Sequence, residues 1–163
     1  MAEVAAVAEK VRQHWLSQGL LVSPIKPEEL EALRRSRPDR IPEDYEAFLR
    51  IAGLPEDEDG EGFRFWLPSE VRATHDVLGE ARYASDAVEP SVIIADYLQE
   101  SWWYALWLAG PFRGHVSLVL GHADGRDPQP PLGTFVDFLR AYLNDDARLY
   151  PPASSPEHAG HAS

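Results

Sequence analysis

The chain has 163 residues, 44% hydrophobic and 26% charged, with no cysteine and a formal net charge of −12. That length and apolar content suit one folded domain with a core of its own, and they exclude a wholly disordered chain. The acidity argues against a phosphate backbone or an anionic lipid surface as partner and favours a basic one. The missing thiols exclude disulfides and thiolate metal sites.

Val4, Val7, Val11 and Trp15 recur at helical spacing, with Glu9, Lys10 and Arg12 on the other face, and Gly19 supplies a stop. The charged start MAEVAAVAEK is unlike a secretion signal, and no later stretch approaches the ~18 apolar residues of a membrane span, so the expectation is a soluble cytoplasmic protein. Pro27 opens a second helix, PEELEALRRSR, whose acidic start and basic end suit the helix dipole and whose core face is Leu30 and Leu33. A third helix, IPEDYEAFLRIAG, carries Tyr45, Phe48, Leu49 and Ala52 on one stripe and ends at Gly53. PEDEDGEG is a charged, glycine-containing loop, FRFWLP a short strand, and LPSEVRATHDVLGEAR a helix capped by Ser69.

The most aromatic stretch, VIIADYLQESWWYALWL (92–108), reads as strand, short turn and strand. On the second strand Trp103, Ala105 and Trp107 share one face and Trp102, Tyr104, Leu106 and Leu108 the other. Both faces are apolar, so the strand is expected to be covered on both sides. HVSLVLG completes an antiparallel meander. After the Pro/Gly-rich ADGRDPQPPLG, the helix TFVDFLRAYLND places Phe135, Phe138, Leu139 and Tyr142 on one face behind a Thr134 cap. The polar tail PPASSPEHAGHAS is expected to be disordered. The fold class is α+β: N-terminal helices, a central antiparallel meander and a C-terminal packing helix, forming one domain over 1–150 with a tail at 151–163.

Four of these segments, in this order, resemble the SUKH superfamily of cell-wall regulators and bacterial toxin-immunity proteins. IPEDYEAFL, leading to Gly53, resembles the family's Pro-x-Asp-Tyr-x-x-Phe-Leu helix, and FRFWLPSEV its following strand and Ser-Glu-hydrophobic segment. VIIADYLQESWWYALWL resembles the central hairpin, and GTFVDFLRAYL the closing helix. The resemblance spans roughly residues 27–145, preceded by the N-terminal helix. Its departures are Ala52-Gly53 after the first motif and a Gln99-Glu100-Ser101 turn where the family is glycine-rich. The resemblance implies a binding module without cofactor or metal: an immunity protein that neutralises a basic, often nuclease, toxin by direct contact. A regulatory adaptor without a toxin is the alternative, and a small ligand-binding protein or hydrolase a more distant one.

Glu56, Asp57, Glu58, Asp59 and Glu61 form the densest acidic run. It is ordinarily a solvated loop, and it is also the candidate surface for a basic partner, with Asp96 and Glu100 as further candidate contacts. Asp96 interrupts an apolar strand, with Ile94 and Leu98 as same-face neighbours at period two. Its position near the strand's end places it at the surface. The competing readings are a carboxylate bonded inside by backbone or Trp donors, or an acid/base without a visible partner. None of the six histidines (His14, His75, His115, His122, His158, His161) pairs at metal-binding spacing. His122, Asp124 and Asp127 in HADGRD read as an Asp/Gly turn rather than a calcium loop. Trp66, Trp102, Trp103, Tyr104 and Trp107 read chiefly as core. Trp102 and Trp103 point to opposite faces, so at most one of them meets a partner.

Overall fold

Trp15, fully buried, is the hinge of the helical layer: its ring meets Phe48 at 6.1 Å and Phe65 at 5.3 Å. It sits on α1 (Ala2–Ser17), whose buried stripe Val4, Val7, Ala8, Val11 and Trp15 is the one read from the sequence. The computed structural model describes residues 2–79, 90–121 and 128–151. α1 packs against α3 (Glu43–Ala52) and α5 (Phe135–Asn144), while α2 (Pro27–Arg35) buries Leu30 and Leu33. Tyr45 and Phe48 of α3 meet Phe135 of α5 edge-on at 5.4 and 5.3 Å, which interlocks the two helices.

Two terminations depend on particular residues. α3 ends at Gly53, with φ +68°, and a Cβ there would stand 2.5 Å from the Ser23 carbonyl oxygen. The crowding arises because β1 (Val22–Ser23) pairs antiparallel with β2 (Leu54–Pro55) directly after the helix. α5 begins with a reciprocal cap. Thr134 Oγ1 accepts from the Asp137 amide at 3.1 Å, and Asp137 accepts from the Thr134 amide at 3.0 Å. Those two bonds satisfy donors that a helix start otherwise leaves open.

The main sheet comprises β3 (Phe63–Phe65), β4 (Arg72–Ala73), β5 (Ser91–Tyr97), β6 (Trp102–Trp107), β7 (His115–Val119) and β8 (Gly133–Thr134). β5, β6 and β7 form the expected meander, β3 and β4 pair along one edge of β5, and β8 closes the other side. All pairings are antiparallel. The side bearing Phe65, Tyr104 and Leu106 packs on the helices, with Tyr104 5.2 Å from Phe138. The opposite side carries Ile93, Ala105, Ser117 and Val119, all fully buried, so β6 is covered on both faces as its sequence requires. The architecture is therefore α+β, with N-terminal helices, a six-stranded antiparallel sheet and a C-terminal helix packed on α1.

One element departs from the sequence reading. The helix expected over 67–82 is instead a turn, a two-residue strand and the short α4 (Thr74–Leu78); residues 80–82 lie outside the described residues. Ser69 is exposed and caps nothing. Glu70 does that work, its amide reaching the Leu67 carbonyl at 2.8 Å and its carboxylate accepting the Leu67 amide at 2.9 Å. Arg72 and Ala73 are then drawn into pairing with Ile93 and Val92, so sheet contact overrides local helical preference. The anticipated HADGRD turn (122–127) and nearly all of the tail (152–163) also lie outside the described residues.

Candidate partner-binding surface

The acidic run leaves β2 and turns back into β3, and one of its members folds inward to make that turn. Asp59 is 7% exposed. Its Oδ1 accepts the amides of Glu61 at 2.8 Å and Phe63 at 3.0 Å, and its Oδ2 accepts the Tyr142 hydroxyl. Tyr142 in turn accepts the Trp15 indole N–H at 2.8 Å. Burial, reinforced by the Asp59 carboxylate, holds the Tyr142 hydroxyl well above the ordinary phenol range. A second strut runs from α1, where Gln18 Oε1 accepts the Gly60 amide at 3.1 Å. The expectation that Asp59 faces a partner is thus corrected: the carboxylate is the inward anchor of the loop. The sequence signal was present in the Asp-Gly-Glu-Gly turn, where an Asp bonds the amide two residues on.

Asp96 is corrected in the same direction. It is fully buried, and its Oδ2 accepts the Trp66 indole at 2.6 Å and Arg64 Nε at 3.2 Å, while Oδ1 accepts the Glu100 amide at 3.1 Å. Arg64 is shared with Glu70 at 2.8 Å, so one cation serves two carboxylates there. The surface reading fails because Asp96 lies inside the sheet, paired with Arg64 of β3 on one side and Trp103 of β6 on the other. A β-bulge between Ile93 and Ala95 sets which face it takes, aligning it with Ile93 rather than Ile94. Of the three readings, the carboxylate bonded inside by backbone and Trp donors is the one observed. Among the described residues, no histidine is one of its hydrogen-bond partners.

The remaining acidic residues face outward. Glu56, Asp57 and Glu61 are exposed and Glu58 is half-buried; Glu100 is exposed at the β5–β6 turn and accepts the Trp103 indole at 3.1 Å. Backbone pairing joins the two segments, since the Leu98 amide donates to the Gly62 carbonyl at 2.9 Å. Among the described residues, no cation lies within ion-pair distance of Glu56, Asp57, Glu58, Glu61 or Glu100. Several carboxylates elsewhere are matched, as in Arg34 with Glu31 and Glu46, Arg40 with Glu43, and Arg140 with Glu3, while Glu28, Asp39 and Asp44 have no cation within ion-pair distance among the described residues. Arg40 lies at the other end of the sheet, where its carbonyl accepts from Arg113 of the β6–β7 turn. The 56–61 loop and the adjoining turn thus group five carboxylates without an ion pair among the described residues at one end of the sheet.

The histidines are dispersed. His14 lies edge-on to Tyr142 at 5.6 Å with Gln18 at its Nε2, His75 is exposed beside Asp76, and His115 is half-buried near Phe112. His122, His158 and His161 lie outside the described residues. No group of three or more metal-ligating side chains occurs among the described residues, and no helix there is long and apolar enough to cross a membrane. Shallow grooves include one of about 530 Å³ between α1 and α5, flanked by Glu3, Lys10 and Arg140, and one of about 420 Å³ between α2 and the 67–71 turn. Neither includes Asp96 in its wall. Trp66 and Trp107 are core, as expected, whereas Trp102 and Trp103 are half-buried on opposite sides of β6. No protein-family model matches the chain, and no curated protein or solved structure is significantly similar to it.

Proposed function

We propose that this protein is a binding module whose acidic end contacts a basic protein, and that it acts as an immunity protein of the SUKH type, neutralising a basic toxin by direct association. The observation that carries the binding reading is the set of outward carboxylates on the loop over 56–61 and on the adjoining turn, Glu56, Asp57, Glu58, Glu61 and Glu100, with no cation within ion-pair distance of them among the described residues. Five such negative charges project a field that attracts a basic surface and speeds encounter. The two struts from α1 and α5 hold the loop in one geometry, which lowers the ordering cost of association. Support for the immunity assignment is the ordered run of SUKH-like motifs. A nuclease toxin suits it chemically, because a site that holds phosphates is itself basic.

The test is co-expression with the toxin domain encoded beside the gene, read as growth rescue and co-purification. Rescue with a stable complex supports the immunity reading. Arrest without a complex removes it and leaves the adaptor alternative.

A further inference from the structure

Beside the acidic loop lies an aromatic corner that the core does not fully enclose. Tyr97 and Trp102, opposite each other on β5 and β6, are half-buried with ring centroids 4.6 Å apart. Tyr150, after the short 3-10 turn Ala147–Leu149, stands edge-on to them at 5.5 and 6.3 Å. Next to this cluster Leu98 is 50% exposed. It begins a turn in which Leu98, Gln99 and Glu100 have φ of 47°, 54° and 65°, three successive non-glycine residues in the left-handed region. Such a turn is costly for branched or long side chains, and strain of this kind collects where geometry serves recognition. A Cβ at Gly62 would stand 2.7 Å from the Leu98 side chain, so the corner and the acidic loop are one continuous surface. The Tyr150 hydroxyl donates to Asp145, and burial together with the Asp145 and Glu61 carboxylates holds it above the ordinary phenol range, while Arg148 in the preceding turn is paired with Asp146.

We infer that this corner is the anchor site for an arginine-bearing basic segment of the partner protein, with a guanidinium lying over the accessible part of the half-buried rings of Trp102 and Tyr150 and its charge met by Glu61 and Asp145. Both halves of the surface point to that occupant. Aromatic faces attract cations, carboxylates complete the pairing, and a planar guanidinium stacks on a ring where a lysine ammonium does not. The inference rests on the acidic-end reading above and names the chemistry of its partner.

The experiment is a ¹H–¹⁵N titration of the full chain with nona-arginine and, separately, nona-lysine, at physiological salt. The five indole N–H signals act as separate reporters. The expected result is movement of the Trp102 indole and of the amides over 56–62 and 98–101, with the Trp15 and Trp107 indoles still. Nona-arginine is expected to bind about threefold more tightly than nona-lysine, and Trp102→Leu to abolish that preference. Equal affinities with a still Trp102 indole and shifts confined to 56–62 overturn the inference and leave the acidic-end reading standing. No shift at either segment overturns both. A Trp102 signal that moves with protein concentration alone assigns the corner to a second copy and overturns the inference. Should Trp102→Leu fail to fold, the wild-type map and the peptide comparison still decide.

Discussion

Tyr142→Phe removes one oxygen that serves two buried groups. In the native chain that hydroxyl donates to Asp59 and accepts the Trp15 indole N–H at 2.8 Å, and Trp15 is fully buried. Phenylalanine keeps the ring packing against Phe63 and Phe65, at 5.1 Å in each case, so the loss is confined to polar contacts. Orphaning a buried donor costs about 1–3 kcal/mol, and losing a bond to a charged acceptor about 1.5–3 kcal/mol. The two are not additive, because Asp59 keeps its bonds to the Glu61 and Phe63 amides. A net destabilisation of about 3 kcal/mol is expected, a large share of the roughly 5–15 kcal/mol typical of a domain, with a Tm decrease of about 6–12 °C. Urea unfolding followed by tryptophan emission measures it, and hydrogen exchange at the Glu61 and Phe63 amides reports whether the loop loosens. Trp15→Phe should cost less in the Tyr142→Phe background than in the native one, since the donor it deletes is already orphaned. A loss below about 0.5 kcal/mol, with unchanged exchange at those amides, refutes the role given to this chain of bonds.

Asp96→Ala should destabilise by about 1–3 kcal/mol, because it orphans the buried Trp66 indole while Arg64 keeps Glu70; a thermal midpoint within a degree of the native value sinks that account. Burial holds the Tyr45, Tyr104 and Tyr142 hydroxyls above the phenol range, whereas in the unfolded chain each ionises near ~10. Their contribution is therefore fully present below about pH 10 and is lost as pH rises beyond it. Absorbance at alkaline pH should show these three ionising only together with unfolding, and their free titration in the folded chain contradicts the burial argument. Gly53→Ala meets both a positive φ and the Ser23 carbonyl at 2.5 Å, so chemical denaturation should show a loss above about 1 kcal/mol; a neutral effect means the β1–β2 contact yields easily.

What could be read from the sequence followed from periodicity. The stripes of α1, α3 and α5, the doubly apolar β6 and the Thr134 cap each follow a local rule that the order of residues displays directly. What could not be read depended on contacts made at a distance. The run VIIADYL does not show that β3 and β6 flank Asp96 or that Trp66 and Arg64, distant in sequence, close on its carboxylate. Asp59 is indistinguishable by charge from its neighbours, and only the meeting of the loop with α5 and α1 selects it as the buried one. The 67–82 helix failed because two residues, Arg72 and Ala73, have more to gain from the β5 edge than from continuing a helix. Two-residue strands such as β1 and β2 are too short to carry any period. The outward carboxylates, by contrast, are plain in the sequence as a charge run. The fold adds which of them turns inward and what lies beside the rest.

The central claim is that the acidic end binds a basic partner, and the most direct measurement is the affinity and association rate for a basic protein that co-purifies with the native chain. It compares the native chain with one carrying Glu56→Lys, Asp57→Lys, Glu58→Lys and Glu61→Lys, at low and at physiological salt. Asp59 is left in place so that the loop keeps its inward anchor. The account predicts native association that slows with added salt and a variant that associates at least about tenfold more slowly while unfolding at the native urea midpoint. A folded variant that binds as the native chain does, with no salt dependence in either, would contradict it.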